Sequence, residues 1–238
     1  VLDVRLGEFV FRLNEGIWNL VDNGNAPHSK VREATEGPLF GLNAIARGAF
    51  VLHASCVTYR EKAIAFAGRS GAGKSTLAAR LCQMGAELVS DGLTVIEPHT
   101  LEVSKGPRRF KLDQQSIALL ERNPEGMEPV GHGSTKFYFS FEGQASAVTP
   151  YLDTVYVSGD REQGFDGVVA VGELIRNAYI LGRLPQEYLQ HVVTRAANIV
   201  TKCTVQQIRF VHGGRESLDQ VANSVWQTLS KPSTQPNA

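Results

Sequence analysis

The chain has 238 residues, with 24 basic and 24 acidic side chains and a formal net charge of zero. That length suits one large α/β domain, and 42% apolar with 20% charged residues is ordinary for a packed globular protein. Charge balance removes the surplus of Lys and Arg on which non-specific nucleic-acid binding depends, and no apolar run approaches the roughly 18 residues that span a bilayer. Three widely spaced cysteines, Cys56, Cys82 and Cys203, form neither a CxxC pair nor a disulfide framework and point to a reducing compartment. The first residues lack the charged-then-apolar layout of a signal peptide. The expectation is a cytoplasmic protein with neither a nucleic-acid nor a membrane partner.

In chain order, Val4, Leu6, Phe9 and Phe11 predict short strands, and the polar run from Asp22 to Pro27 predicts a turn. Leu39 to Ala49 suits a short helix. Phe50 to Tyr59 and Lys62 to Ala67 are strand-like and joined by Arg60-Glu61, which predicts an antiparallel hairpin. A Gly-rich turn follows, then a helix from Lys74 to Met84 with Leu77, Ala78, Leu81 and Cys82 on one stripe and Gly85 placed to end it. Glu87 to Ser90 predicts a short strand ending at Asp91-Gly92, with Thr94 to Glu97 continuing it after a bend. From Leu101 to Val157 the reading is mostly strands and loops, the strongest being Lys136 to Phe141 and Tyr151 to Val157. Asp160 to Gly167 reads as a surface turn. Helices are expected from Gly172 to Leu181 and from Pro185 to Val200, then a strand from Val205 to Val211 and a helix from Glu216 to Leu229. The organisation expected is a strand-and-loop segment at 1–49 packed on the core, one main domain at 50–230 and a polar tail at 231–238.

The segment that carries chemistry is Gly68-Arg69-Ser70-Gly71-Ala72-Gly73-Lys74-Ser75-Thr76. It fits G-x-x-x-x-G-K-[ST] in full, with an apolar strand before it and an amphipathic helix after it, which is the context that motif requires. Glycines let the chain wrap closely, so that successive backbone N–H groups face one concavity suited to phosphate oxygens. The helix N-terminus adds partial positive charge. Lys74 is placed to reach the β- and γ-phosphates, and the Ser75 hydroxyl to ligate Mg²⁺. The chain is therefore expected to bind ATP with Mg²⁺.

An ABC-type signature and the N-K-x-D guanine-reading motif are both missing from the sequence. The first aspartate after the loop is Asp91, at the distance of one helix, one turn and one short strand, which places it at the carboxyl end of the next strand, where ligands bind in a parallel sheet. A carboxylate there can hold Mg²⁺, directly or through water, or accept the proton of an attacking hydroxyl. His53, in the strand upstream, lies near the same edge if the hairpin forms, within reach of a hydrogen bond to Asp91. Spacing alone leaves His53 open between that role and a structural one. Lys105, Arg108, Arg109 and Lys111 form a basic cluster that suits either a phosphate, an acidic substrate segment or a solvated surface. Lys136 is a further candidate for the transferring phosphoryl group.

Leu52-His53-Ala54-Ser55, then Gly68 to Thr76, then Leu88-Val89-Ser90-Asp91 resembles the catalytic domain of the HPr kinase/phosphorylase family, which shares a core with phosphoenolpyruvate carboxykinase. The resemblance covers about residues 50 to 98 with specificity and extends more loosely to about 230. It implies an α/β fold, a P-loop core with a mixed sheet and flanking helices, and ATP-dependent phosphorylation of a Ser hydroxyl on a protein or peptide. It further implies that Asp91 is the catalytic base, supported by His53, and that an assembly of like subunits forms. Two departures stand out: Asp91-Gly92 replaces a pair of acids, and the Arg-Gly-Leu-Gly segment near the family's protein substrate has no counterpart. The expected substrate is accordingly a peptide or protein other than HPr. The alternatives are a small-molecule kinase of the adenylylsulfate or gluconate type, since Ser90-Asp91-Gly92 is close to a D-G-D pattern, and a nucleotide-binding regulatory module with little turnover.

Overall fold

The computed structural model describes residues 2–131, 134–141, 148–179, 191–209 and 214–231. Its centre is strand β6 (Lys62–Ala67), whose side chains alternate between two apolar layers. Ala63, Ala65 and Ala67 enter one core cluster, while Ile64 and Phe66 enter the other. A strand buried on both faces has no polar side, which is why its sequence is a continuous apolar run.

Around β6 the sheet has six strands in the order β13-β14-β12-β6-β5-β7, where β5 is Ala54–Tyr59, β7 Glu87–Ser90, β12 Tyr151–Ser158, β13 Gln163–Phe165 and β14 Thr204–Ile208. Strand β12 runs parallel to both β6 and β14; β5 pairs antiparallel with β6 and with β7. The chain is thus mixed α/β, as expected, and the hairpin turns at Arg60 and Glu61, with Tyr59 opposite Lys62. Helix α3 (Lys74–Gln83) and the last helix, α7 (Arg215–Leu229), cover one face of the sheet with Leu77, Leu81, Leu218 and Val225. Helices α5 (Gly167–Arg176) and α6 (Val192–Val200) cover the other with Ala170, Leu174, Ala196 and Ile199, and the larger Leu174 and Ile199 fill the space that the alanine face of β6 leaves.

Among the described residues three further sheets flank this core. Strands β1 (Leu2–Leu6), β2 (Phe9–Asn14) and β3 (Ile17–Asp22) form an antiparallel meander, and β3 was not anticipated from the sequence. The meander packs Phe11 and Trp18 on helix α2 (Phe40–Ala46), whose Asn43 side chain bonds the Trp18 N–H and C=O at 2.8 and 2.9 Å. Helix α1 (His28–Ala34) runs into α2 through a π-helical turn at Thr35–Leu39.

Phe50 to Tyr59 is two strands rather than one. The short β4 (Phe50–Leu52) pairs with β8 (Thr94–Ile96), and β8 with β9 (Val103–Ser104), in a separate sheet. The break falls at His53, whose N–H donates to the Asn177 carbonyl at 2.9 Å instead of to a neighbouring strand. Likewise Thr94 to Ile96 does not extend β7, because Gly92 at φ +89° turns the chain into the other sheet. Strands β10 (Phe110–Asp113) and β11 (Lys136–Phe139) make a two-stranded ribbon, followed within the same region by an unanticipated helix α4 (Gln114–Leu119), capped by Asp113 accepting from the Ser116 N–H. The expected surface turn at 160–167 contains edge strand β13, and α5 begins at Gly167 and stops at Arg176. The helix start at Pro185 and the tail beyond 231 lie outside the described residues.

Candidate functional site

Strand β6 ends at Ala67 and the chain turns at once into the glycine-rich loop. Gly68 takes φ +151°, and a Cβ there would lie 2.2 Å from Ser158 Oγ at the end of the neighbouring β12. Glycine is therefore required by close approach as well as by conformation. Gly73 caps α3 in the left-handed region at φ +89°, with no side-chain cap hydrogen bond. The first-turn N–H groups of α3 are thus left for an anion rather than for a side chain.

Lys74 is buried, and its ammonium donates to the Gly68 and Arg69 carbonyls at 2.8 and 2.9 Å, which curls the loop around it. Burial holds its pKa below the usual lysine value; Asp91 opposes that shift and Lys136 adds to it. Of the remaining loop residues, Ser70, Gly71, Gly73, Ser75 and Thr76 line a cleft of about 560 Å³, and Gly68, Arg69 and Ala72 do not. The Ala72 N–H is engaged inside the loop on the Arg69 carbonyl, and the Thr76 hydroxyl donates to Ser116 Oγ at 2.9 Å.

Asp91 sits where the sequence places it, just past β7 at the sheet edge that β6 also points to. The β5–β7 register pairs Cys56 with Ser90, which brings Ser55 beside Asp91. Asp91 Oδ1 accepts hydrogen bonds from Ser55 Oγ at 2.6 Å and from Ser75 Oγ at 2.7 Å, while Oδ2 accepts the Lys111 backbone N–H at 3.0 Å. Two hydroxyls and a carboxylate converging in this way are hard oxygen donors, the set that suits Mg²⁺ bound together with substrate phosphates. Among the described residues no group of three or more His, Cys, Asp or Glu is placed to hold a metal by side chains alone.

His53 shares the cleft but not the predicted bond. Among the described residues the donors to Asp91 are Ser55, Ser75 and Lys111, and the imidazole is not one of them. The reason is the strand break at His53: the residue that β5 delivers to Asp91 is Ser55, two positions later. The His53 ring opens on the cleft, yet the surrounding protein dehydrates it and lowers its pKa; Lys74 lowers it further and Asp91 partly offsets them.

The opposite wall of the cleft comes from far away in the chain. Phe9, Lys30, Glu33, Glu36, Pro38 and Phe40 reach it from the first 46 residues, where the π-helical turn carries Pro38, a residue without an N–H for a regular helix ladder. The basic cluster proves divided. Lys105 and Arg108 are exposed. Lys111 pairs with Glu33 at 2.9 Å, Arg109 pairs with Glu36, and Arg109 also lies 4.2 Å above the Tyr138 ring. Sequence reasoning missed Ser55, Glu33 and Glu36. Ser55 stood two residues from His53 in a strand and was legible by period alone; the glutamates carried no signal.

No family model and no curated protein matches the chain. Among solved structures it is similar to the Hpr(Ser) kinase/phosphatase from Coxiella burnetii, at 12% sequence identity and a TM-score of 0.42, over 75% of this chain and 89% of that one.

Proposed function

We propose that the protein is an ATP-dependent kinase that transfers the γ-phosphoryl group to a hydroxyl, a serine of a peptide or protein other than HPr. The observation that carries this reading is the Asp91 carboxylate, which accepts Ser75 of the phosphate loop and Ser55 on one oxygen and only a backbone N–H on the other. A carboxylate at the γ-phosphate end of a P-loop, with a lone pair still open, suits proton acceptance from an attacking hydroxyl. Ser75 and Asp91 would hold Mg²⁺, which when bound neutralises charge on the phosphates. The loop N–H groups and Lys74 bind and orient the triphosphate. Asp91 orients the acceptor hydroxyl and takes its proton as oxygen attacks phosphorus. His53, kept neutral by its surroundings, faces the same cleft and orders the acceptor side.

A second reading, phosphorylation of a small molecule, is favoured by the size of the cleft. At about 560 Å³ it falls in the range of small-ligand sites and is walled on its far side by the first 46 residues. One experiment separates the two. Labelled Mg-ATP is incubated with the protein and an extract resolved into protein, peptide and metabolite fractions, with Asp91→Asn as control. Label in protein or peptide that vanishes with Asp91→Asn supports the first reading; label confined to metabolites supports the second. Bound ATP without transfer to any fraction overturns both in favour of a regulatory module.

A further inference from the structure

The β10–β11 ribbon has two faces with different duties. Its register pairs Phe110 with Phe139, Lys111 with Tyr138, Leu112 with Phe137 and Asp113 with Lys136. Alternation sends Phe110, Leu112 and Phe139 into the core beneath α3, and sends Lys111, Asp113 and Lys136 into the cleft wall. The ribbon is held rigidly against the site. The Lys111 N–H is bonded to Asp91, and Asp113 caps α4, whose Ser116 is bonded to Thr76 of the phosphate-loop helix. Lys136 is therefore presented from a fixed platform directly across from Asp113.

The cations of this wall differ in one respect. Lys30 is paired with Glu8, Lys111 with Glu33 and Arg109 with Glu36. Among the described residues no acid is ion-paired with the Lys136 ammonium. Its charge is nevertheless felt at the phosphate loop, since it depresses the pKa of both Lys74 and His53. Two ammonium groups that repel across one cleft are compatible at low cost when a polyanion lies between them.

Resting on the kinase reading above, we propose that Lys136 is a second catalytic cation that contacts the γ-phosphoryl oxygens on the side opposite Lys74. In the transfer step the acceptor oxygen forms a bond to the γ-phosphorus as the bond from that phosphorus to the bridging oxygen breaks. The bonding pair leaves with ADP and the hydroxyl proton passes to Asp91. Lys136 moves no proton; it holds the equatorial oxygens, whose charge is redistributed in the transition state.

The test is calorimetric binding of MgADP, MgATP and MgADP with aluminium fluoride, which mimics the transferring group, to wild type, Lys136→Met and Lys136→Arg. MgADP affinity is expected to be unchanged in all three, which also shows that the variants fold. The fluoride complex is expected to weaken about 100-fold in Lys136→Met and to recover in large part in Lys136→Arg. Turnover is expected to fall by a similar factor, and MgATP, which carries the γ-phosphoryl group that MgADP lacks, is expected to weaken several-fold relative to MgADP in Lys136→Met. Equal affinity of wild type and Lys136→Met for the fluoride complex overturns the proposal. Should Lys136→Met lose MgADP binding, Lys136→Gln replaces it with the same criterion. A wild type that binds all three ligands but labels no acceptor breaks the kinase reading instead, and the ratio of MgATP to MgADP affinity in the variants still decides whether Lys136 meets the γ-phosphate.

Discussion

The two walls of the cleft are built in opposite ways. The glycine-rich wall comes from one run of nine consecutive residues, six of which line the cleft, and is shaped by backbone conformation: Gly68 and Gly73 at positive φ, an uncapped helix start, and a lysine held by carbonyls five and six residues away. The facing wall works through side chains brought together across the chain, with Arg109 and Glu36 separated by 73 positions and Lys111 and Glu33 by 78. A phosphate is the same in every nucleotide, so a short local solution serves. On the kinase reading proposed above, the acceptor differs from enzyme to enzyme, and the facing wall is assembled from whatever the fold brings near.

Substitutions sharpen that contrast. The largest effect is expected from Lys74→Ala, which should weaken MgATP binding and lower transfer on the order of 10⁴-fold, because it removes charge from the transferring group and the ligand that curls the loop. Calorimetry and a labelled-transfer assay read it; wild-type turnover in this variant would place the phosphates elsewhere. Asp91→Asn should leave MgATP binding within a few-fold and reduce transfer on the order of 10³-fold. Full transfer by this variant removes the general-base assignment.

Gly68→Ala tests the claim that the loop wall is a matter of backbone. The added methyl meets Ser158 Oγ, and a destabilisation of about 2 kcal/mol by thermal or urea unfolding is expected, with partial recovery in the double variant with Ser158→Gly. Glu36→Gln should cost less, about 0.5–1 kcal/mol for a partly exposed ion pair, and should change the acceptor KM while sparing MgATP affinity. If it alters MgATP affinity and not the acceptor KM, the far wall belongs to the nucleotide.

The smallest effect concerns pH. The His53 pKa is lowered in the folded chain, so between the unfolded value near 6.5 and the folded one the unfolded state binds more protons. Stability then rises with pH across that window and falls as pH drops below about 6.5. His53→Gln should flatten the slope of unfolding free energy against pH there. An unchanged slope means that the imidazole is not dehydrated in the cleft.

Much of the core was legible because its elements are coded locally. The β5–β6 hairpin, the helix after the loop, its stop at Gly85, and the strand leading to Asp91 follow from period, glycine placement and spacing. The helix α4 escaped notice because its cap, Asp113, ends a strand and only six residues follow it. The split at His53 escaped because β4 and β5 are equally apolar, and what separates them is the Asn177 carbonyl from 124 positions downstream.

The nine-residue loop, its flanking strand and helix, and the position of Asp91 at a strand end were determined by the sequence alone, since each depends on backbone geometry over a few residues. That Ser55 rather than His53 donates to Asp91, that Glu33 and Glu36 engage Lys111 and Arg109, and that Lys136 lines the same cleft as the loop were decided only by the tertiary structure. Those contacts depend on strand register and on the docking of the first 46 residues, and short-range sequence pattern does not specify which distant side chains meet.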